Sequence, residues 1–461
     1  MAHHTTLFMR RFKKSLKVLS EEGPRELIKR IKVVMRSYWR NELPTKTLKT
    51  LEYDTSPVHF IGRKLNQEGL ERALGKLREK PFVLAFSQDN YLKVIGGVQL
   101  KIADQQREMN DKGLSYLHLS PFKARTTLDF SNKPGVMNLN LDGQFVGYID
   151  DETLLSAFKS LAEAGTLKEI VIHHLMGWKL NYVEQLLTLA KNVPVRFWLH
   201  DFFSVCPNYT LLRNDREYCH APEPYSNACQ LCIYGTIRPL HYQAFSDLFR
   251  QFPIHVVAPS EFALEFWREK FPLVANEGYV VPNAILEWQG RLQDTCENRP
   301  LRIAFVGYPV LHKGWQAWLR LSNQFGKDSR YKFFHFSSDW QPSPNFEKVS
   351  VKVTQKNRSA MIDVLSNKKI DIAFLWSICP ETFSFTLYEA LAAGCYIVTN
   401  SASGNIQDTI LRNPQWGKIY ASEIELLEAF EEGCILQDFK HFNESDRRTG
   451  RLILAKDDVQ K

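Results

Sequence analysis

Hydrophobic and polar positions follow two rhythms along most of the chain, and together they predict an α/β fold. From about residue 80, short apolar runs with the length of buried strands alternate with segments whose apolar residues recur at helical spacing. The first series of predicted strands covers residues 82–87, 115–119, 169–173, 195–199, 254–259 and 279–282. The second series covers residues 301–307, 332–337, 349–353, 371–376 and 395–400. Two successive β/α series predict two Rossmann-like parallel-sheet domains that face each other across a cleft.

Departures from this alternation set the expected domain boundaries. Residues 136–150 alternate around Asp142-Gly143, which predicts a β-hairpin. The polar stretch 287–300 predicts a linker. We therefore expect a first domain over residues 47–290, a second domain over residues 298–435 and a C-terminal tail over residues 436–461.

Residues 1–46 predict a basic arm made of two amphipathic helices that are separated at Gly23-Pro24. This arm holds 12 Lys and Arg against four Glu, and the other 415 residues hold 47 basic and 47 acidic side chains. The net charge of +8 therefore belongs to the arm alone. A basic face beside an apolar stripe is typical of a helix that lies on an anionic membrane surface. Packing of the stripe against the body of the protein is the alternative.

Composition narrows the class of protein. Hydrophobic residues make up 44% and charged residues 24% of the 461 positions, which is typical of a globular domain rather than a disordered chain. The sequence has no apolar stretch long enough to span a membrane and no secretory signal pattern at its start, so we expect a cytoplasmic protein. A neutral body without a recognition module argues against nucleic-acid binding.

Two glycine-containing turns are candidate anion sites. Ile95-Gly96-Gly97-Val98 follows the first predicted strand and opens a helix, where paired glycines let a ligand approach exposed backbone N–H groups. Val306-Gly307 ends the first strand of the second series, and Lys313-Gly314 follows at the start of a helix. An ammonium beside a helix N-terminus is well placed for a diphosphate. Each turn alone is equally compatible with a tight turn that binds nothing.

The third and strongest motif is a pair of glutamates eight positions apart, Glu381 and Glu389, between the predicted strands 371–376 and 395–400. In a parallel sheet this strand-to-helix turn lies at the carboxyl edge, where ligands bind. Glu389 falls within the apolar helical segment 387–393, and buried apolar helices rarely carry a glutamate without a function. The pair can hold two separate sets of hydroxyls on one ligand while the intervening N–H groups meet its phosphates.

Taken together, the Glu-x7-Glu motif, the Gly-Gly loop and the Val-Gly…Lys-Gly element resemble retaining GT-B glycosyltransferases of the family 4 type. Ala258-Pro259-Ser260-Glu261 and Val281-Pro282-Asn283-Ala284 resemble that family's strand-end signatures, in the expected order. Pro380-Glu381-Thr382-Phe383-Ser384 and the segment 199–207 are similar to bacterial enzymes that build O-antigen, capsule or other surface polysaccharides. The resemblance covers about residues 80–410.

The resemblance implies roles for residues on both sides of the cleft. Glu389 would hold the nucleotide ribose, Glu381 the hydroxyls of the donor sugar, and Phe383 and Ser384 would offer backbone N–H groups. Lys313 would neutralise the diphosphate of a UDP- or GDP-linked donor.

On the first-domain side, Gly96 and Gly97 would border that diphosphate. His200 would face the donor sugar as a catalytic residue, although a core histidine is the alternative. The resemblance implies no metal requirement for catalysis.

Two departures from the family pattern affect the diphosphate site. Gly307-Tyr308 stands where the family often has Gly-Arg, so a second cation is missing there and Lys313 carries more of the charge. Thr382 and Ser384 replace common glycines, which leaves the two glutamates in place.

Four cysteines, Cys206, Cys219, Cys229 and Cys232, lie within 27 residues in an insertion of the first domain. A Cys-x2-Cys pair with two further thiols predicts a structural zinc site that would order this loop. The other two spacings match no standard zinc finger, so free or redox-active thiols remain the alternative.

The function that these observations predict is hexosyl transfer from a nucleotide sugar to a growing surface polysaccharide or a lipid-linked glycan. The enzyme would be bound peripherally to the inner face of a bacterial cell membrane through the arm. A GT-B nucleotide-sugar epimerase and a non-catalytic nucleotide-sugar-binding relative are the alternatives.

Overall fold

The structure, a computed structural model, describes residues 64–455 except residues 95, 124, 132–133, 273–277, 293–298 and 339–342. All of these residues belong to one compact unit, Val58–Lys461. The predicted basic arm, residues 1–46, lies outside the described residues.

The first half of the described chain forms an eight-stranded sheet in the order β10-β9-β6-β5-β1-β2-β3-β4. Its strands are β1 (Phe82–Phe86), β2 (Ser115–Pro121), β3 (Val136–Leu141), β4 (Gln144–Asp150), β5 (Leu167–Ile172), β6 (Val195–Trp198), β9 (Ile254–Ala258) and β10 (Gly278–Val280). All neighbouring strands are parallel except the pairs β2–β3 and β3–β4. Strands β3 and β4 form the hairpin that the Asp142-Gly143 pattern predicts. The parallel strands are mostly buried because helices cover both faces of the sheet.

Helices follow most strands of this sheet, as the alternation predicts. They are α1 (Gln67–Leu74), α2 (Gly97–Asp111), α3 (Asp151–Glu163), α4 (Leu180–Leu189), α5 (Asn227–Gln230), α6 (Arg238–Gln251) and α7 (Glu261–Lys270). The cysteine-containing insertion between β6 and α6 holds α5 and the short ribbon β7 (Leu212–Arg213) and β8 (Glu217–Tyr218). Asp150 caps α3 by accepting from the Thr153 amide, and Ser260 caps α7 in the same way from Ala263.

The second half forms a six-stranded, fully parallel sheet in the order β14-β13-β12-β15-β16-β17. Its strands are β12 (Leu301–Val306), β13 (Tyr331–Ser337), β14 (Glu347–Ser350), β15 (Ile372–Phe374), β16 (Tyr396–Asn400) and β17 (Gly417–Tyr420). Its helices are α8 (Trp315–Phe325), α9 (Ala360–Asn367), α10 (Phe385–Ala392), α11 (Asn405–Arg412), α12 (Glu423–Glu432) and α13 (Cys434–Ser445). In chain order this is the 3-2-1-4-5-6 arrangement of a Rossmann sheet.

Parts of the segments that the sequence predicts as a linker and a tail form regular structure. Strand β11 (Ala284–Arg291) pairs antiparallel with β18 (Arg448–Leu454). Helix α13 covers most of the predicted tail that precedes β18. Both strands of this ribbon are largely exposed, so their sequences carry little of the apolar pattern that marks a strand. Arg447 fastens the ribbon to the second sheet by donating to the Gly394 and Ile370 carbonyls and by pairing with buried Asp371.

Each sheet changes its strand order at one point, and these points determine where ligands can bind. In the first sheet the order reverses between β1 and β5, and in the second between β12 and β15. Loops that leave the carboxyl ends of such neighbouring strands diverge and open a crevice between them. The loops after β1, β12 and β15 contain the three motifs that the sequence singles out.

Two hydrogen bonds join the two halves beside these loops. Ser260 Oγ donates to the Thr382 carbonyl at 2.7 Å, and Thr382 Oγ1 donates to the His200 carbonyl at 2.6 Å. The segment that carries Glu381 is therefore held against the ends of strands β6 and β9. No helix among the described residues is long and apolar enough to cross a membrane.

Candidate functional site

A cleft of about 1240 Å³ brings the three sequence motifs together. The first half contributes Gly96, Gly97 and Leu100 from the start of α2. The second half contributes most of the wall, including Gly307, Tyr308, Lys313, Glu381, Phe383, Ser384 and Glu389. All of the predicted donor-binding residues therefore line one cleft.

Two helix N-termini meet in this cleft. Gly96 is the N-cap of α2 and Ser384 is the N-cap of α10. A Cβ atom added to Gly97 would lie 3.9 Å from the ring of Phe385, the first residue of α10. The unpaired N–H groups and partial positive charges of both helix starts therefore face a common space, which favours an anion.

The loop before α10 is fixed by its own hydrogen bonds. The Ser384 hydroxyl accepts from the Leu387 amide, and the Ser384 amide donates to Asn405 Oδ1 at 3.2 Å. The Ser384 amide predicted to meet the donor is thus already paired within the protein. In contrast, the amide of Phe383 makes no hydrogen bond to the described part of the chain.

Glu381 and Lys313, which come from different loops of the second sheet, form an ion pair. Lys313 Nζ lies 2.5 Å from Glu381 Oε1, and Ser377 Oγ donates to the same oxygen at 3.0 Å. Burial disfavours the charge on each group, but their mutual attraction outweighs it. The pKa of Glu381 is consequently lowered and the pKa of Lys313 is raised. Both residues are charged at neutral pH.

Glycines hold the two loops in the positions that this ion pair needs. Gly314 has φ +82°, and a Cβ there would lie 2.0 Å from the Trp376 carbonyl oxygen. Gly404 has φ +63°, and a Cβ there would lie 2.6 Å from the Glu381 amide nitrogen. A side chain at either position would force the lysine or the glutamate loop away from the cleft.

Glu389 has a different environment from Glu381, although both line the cleft. Its side chain lies on α10 and is 5% exposed, and its carboxyl group makes no hydrogen bond to any described residue. Burial raises its pKa to about 8, and the nearby guanidinium of Arg358 offsets part of that effect. A buried carboxyl group without a partner, facing a cleft, is a strong candidate for ligand binding.

His200 lies at the end of β6, beside the cleft rather than in its lining. Its ring is stacked on Trp198 and on His173, and its Nε2 lies 3.0 Å from His173 Nδ1. Burial lowers its pKa to about 3, so the ring is neutral. His200 therefore reaches the glutamate loop through its backbone carbonyl, which accepts from Thr382.

The structure adds a cation that the motifs did not reveal. Arg358, in the loop before α9, pairs across the cleft with Asp104 of α2 and donates to the Leu100 carbonyl at 3.5 Å. Its Nε is buried without a hydrogen-bond partner in the described chain. Lys352, Lys356 and Arg451 also line the cleft. No local pattern marks Arg358, because its position depends on contacts with a helix about 250 residues earlier in the chain.

The described residues do not place the four cysteines of the predicted zinc site in a metal-binding arrangement. Cys219 Sγ donates to the Leu211 carbonyl at 3.1 Å, and Cys229 Sγ accepts from Arg238 Nη1 at 3.2 Å. Burial raises the pKa of Cys206 to about 12. Within the described residues, no three His, Cys, Asp or Glu side chains are placed to hold a metal ion. Cys206, Cys219, Cys229 and Cys232 are free thiols in this arrangement.

The fold and the cleft define the class of protein at the level of architecture. Two Rossmann-like parallel sheets that face each other across a ligand cleft constitute the GT-B fold, and this chain has that fold. No protein-family model matches the chain, and no curated protein matches it significantly.

Several solved structures resemble the chain at low identity. Sucrose-phosphate synthase from Thermosynechococcus elongatus is 13% identical, with a TM-score of 0.47 over 79% of this chain and 94% of its own. The pneumococcal O-GlcNAc transferase GtfA, in complex with UDP and GlcNAc, is 9% identical, with a TM-score of 0.47 over 79% and 95%. Anabaena HepE in complex with UDP is 10% identical, with a TM-score of 0.46 over 78% and 92%. Such distant likeness assigns no activity, so function is inferred from the cleft.

Proposed function

We propose that this protein is a glycosyltransferase that takes a sugar from a nucleotide-sugar donor bound in the cleft. The observation that carries the proposal is the convergence of two helix N-termini, α2 and α10, beside a charged lysine and an unpartnered glutamate. A nucleotide sugar presents a diphosphate between two sets of hydroxyls. That sequence of groups matches the arrangement of the cleft.

The diphosphate fits the space where the two helices begin. The backbone at Gly97 and at the start of α10 supplies N–H groups and partial positive charge there. Lys313 supplies a full charge, and Arg358 supplies a second cation close to α2. Arg358 would thus compensate for the arginine that is absent at Tyr308.

The two glutamates fit the hydroxyl groups on either side. Glu389 lacks a partner in the protein, so ribose hydroxyls that donate to it would satisfy a buried carboxyl group. Glu381 is held by Lys313 and Ser377, which orients its carboxylate toward donor-sugar hydroxyls next to the diphosphate. The cleft of about 1240 Å³ exceeds typical small-ligand sites of about 300–1000 Å³, which leaves room for donor and acceptor together.

The chemistry that follows is electrostatic. When the sugar–phosphate bond breaks, negative charge grows on the leaving diphosphate and the sugar becomes oxocarbenium-like. Lys313 and the two helix starts are fixed before the reaction, so they stabilise this charge without reorganisation. These groups would supply the stabilisation that a metal ion gives in other enzymes. The retaining, front-face transfer that we propose is based on the resemblance of the sequence motifs to retaining GT-B glycosyltransferases.

The acceptor that we propose is a growing bacterial surface polysaccharide or its lipid-linked precursor. Its support is the sequence alone: the motif forms in residues 199–207 and 380–384, and the basic amphipathic pattern of residues 1–46. Binding of that arm to the inner face of the cell membrane would hold the cleft near a lipid-linked acceptor. The donor base is uridine or guanosine in this proposal.

The test is a panel of UDP- and GDP-linked sugars, with binding measured by calorimetry and slow donor hydrolysis measured by chromatography. We expect Glu389→Ala mainly to weaken nucleotide binding and Glu381→Ala mainly to reduce turnover. Each effect should be about tenfold to hundredfold, since charge-assisted hydrogen bonds contribute about 1.5–3 kcal/mol. Glu428→Ala, at an exposed glutamate of α12 that does not line the cleft, is the matched control.

Three outcomes would contradict the proposal. Binding without hydrolysis or transfer would favour a non-catalytic relative, and conversion of the donor sugar with the nucleotide still attached would favour an epimerase. Full activity in both cleft variants would show that the glutamate motif has another purpose.

A further inference from the structure

A row of buried polar side chains connects α2, the helix that begins at the cleft, with His200 at the end of β6. Gln105 Oε1 of α2 lies 2.9 Å from His173 Nε2, and His173 Nδ1 lies 3.0 Å from His200 Nε2. Tyr116 OH donates to Gln105 Oε1 at 2.8 Å and lies 3.3 Å from His173 Nε2. The glycosyltransfer mechanism proposed above uses none of these contacts.

The rings in this row cannot rotate freely. The His200 and His173 rings are stacked with centroids 5.3 Å apart, and the Trp198 ring lies 5.7 Å from that of His200. Lys101 Nζ lies 4.5 Å from the centre of the Trp198 ring. The packing therefore fixes the plane of the His200 imidazole, and only its protonation pattern remains to be set.

Both histidines are neutral, so each carries one N–H. Burial lowers the pKa of each, and the charge of Lys101 opposes the protonation of both rings further, whereas Asp201 offsets part of the shift at His200. Each neutral imidazole has one nitrogen that donates a hydrogen bond and one that accepts. In a row of such rings, all the hydrogen bonds must therefore be donated in the same direction along the row. The group at the end of the row selects that direction.

Gln105 determines the direction in which the hydrogen bonds of the row are donated. Its Oε1 is an acceptor, so the N–H of His173 is on Nε2 and its Nδ1 is left to accept. His200 must then donate through Nε2, which leaves Nδ1 of His200 as a lone-pair acceptor. His200 is half-buried, whereas His173 is fully buried, and Nδ1 of His200 has no hydrogen-bond partner among the described residues.

We propose that Gln105 and His173 are positioning residues that fix His200 as the Nε2–H tautomer, so that its Nδ1 accepts a hydrogen bond from a hydroxyl of the sugar substrate. His200 is half-buried beside the cleft, and its carbonyl is bonded to Thr382, the residue after Glu381, so it lies next to the loop that carries the donor-sugar glutamate of the proposed function. The same helix, α2, then offers its N-terminus to the diphosphate and its Gln105 to the row. This inference rests on the proposed function and assigns a role to residues that lie outside the cleft.

The experiment compares two buried variants that differ in the predicted direction of the row. In Gln105→Met the acceptor is lost, and the Tyr116 hydroxyl becomes the polar neighbour that donates to His173 Nε2. The N–H of each imidazole should then move, so that Nδ1 of His200 becomes protonated. In Tyr116→Phe, the matched control of similar size, Gln105 still accepts from His173 and the tautomer should stay unchanged.

Tautomers are read from the ring nitrogen shifts of protein labelled with 15N-histidine, and a His200→Gln sample identifies the His200 signals. The wild type should show an unprotonated Nδ1 at His200, and Gln105→Met should show a protonated one. With an active donor, kcat of Gln105→Met should fall about tenfold, the effect of one lost hydrogen bond, while KM for the donor stays constant. Tyr116→Phe should match the wild type in both measurements.

A protonated Nδ1 in the wild type would overturn the proposal without any variant. Equal losses in both variants, or unchanged nitrogen shifts in Gln105→Met, would show that the row has only a structural role. Absence of any transfer by the wild type would overturn the proposed function instead. The nitrogen shifts need no turnover and would still decide the direction of the row.

Discussion

Replacing Glu389 with Gln should make the free protein more stable while weakening its affinity for a nucleotide. The carboxyl group is 5% exposed and has no hydrogen-bond partner in the described chain, and burial raises its pKa from 4.5 to about 8. The folded state therefore holds this proton more tightly than the unfolded state. Above pH 4.5 the unfolded chain ionises at this position before the folded protein does, so stability falls as pH rises toward 8.

The size of the effect follows from that pKa change. At about 1.4 kcal/mol per pKa unit, the full cost of ionising Glu389 in the folded protein is about 5 kcal/mol, reached above pH 8. Glutamine has no such cost. The stability advantage of Glu389→Gln over the wild type should therefore grow by about 3 kcal/mol between pH 6 and pH 9. Nucleotide affinity should fall about tenfold to hundredfold, because the proposed charge-assisted hydrogen bonds to the ribose would be lost.

The assay is urea unfolding of the full chain at pH 6 and at pH 9, together with calorimetric titration of UDP and GDP. Glu381→Gln is the matched control, since the same replacement eight residues earlier should have the opposite sign. Lys313 lowers the pKa of Glu381, so the charged form stabilises the fold, and the amide would leave the ammonium without its partner. A Glu389→Gln protein that is less stable than the wild type, or whose advantage does not change with pH, would refute the reasoning.

Three further predictions test other parts of the molecule. Gly97→Ala should leave stability nearly unchanged, because the new methyl group would lie 3.9 Å from the Phe385 ring. The same variant should bind nucleotide more weakly in a calorimetric titration. Unchanged affinity would show that the N-terminus of α2 does not belong to the diphosphate site. Chelators should leave both turnover and the thermal midpoint unchanged, since the four clustered thiols are not arranged around a metal. Elemental analysis that finds about one zinc per chain would instead support the zinc site that the spacing predicts. Deletion of residues 1–46 should abolish sedimentation with anionic liposomes without changing donor binding, because each basic residue near such a surface contributes about 1 kcal/mol to membrane binding. Liposome binding that survives the deletion, or that does not weaken when salt is added, would contradict this role.

The fold could be predicted from the sequence wherever strands are buried on both faces. The central strands of the second sheet appear as apolar runs, as Ile372–Phe374 and Tyr396–Asn400 show, whereas the edge strand Gly417–Tyr420 does not. The β11–β18 ribbon could not be predicted in the same way, since its residues alternate between half-buried and exposed positions. A strand whose stability depends on a partner more than 150 residues away leaves little local signal.

The candidate site shows the same division between local and distant determinants. The glutamate pair and the Gly-Gly turn are visible because strand, turn and helix follow one another within a few residues. The partners of those residues are set by the packing of one loop on another: Lys313 meets Glu381 across 68 positions, and Arg358 meets Asp104 across 254. No spacing rule reaches that far. The cysteine spacing shows the converse case: it is a local pattern typical of zinc, for which the described side chains provide no set of three metal ligands.

The contrast between the two glutamates explains why a motif alone cannot assign roles. The spacing of Glu381 and Glu389 does not reveal their surroundings: the fold places Glu381 against an ammonium and leaves Glu389 without a hydrogen-bond partner among the described residues. The first is stabilised in its charged form and is held in one orientation before any ligand arrives. The second is costly to ionise until a ligand supplies donors for it, so the protein gives up stability at this position in exchange for binding. The lowered pKa of Glu381 suits a residue that holds one part of a ligand rigidly. The raised pKa of Glu389 suits a residue whose burial becomes favourable when another part of the ligand binds to it.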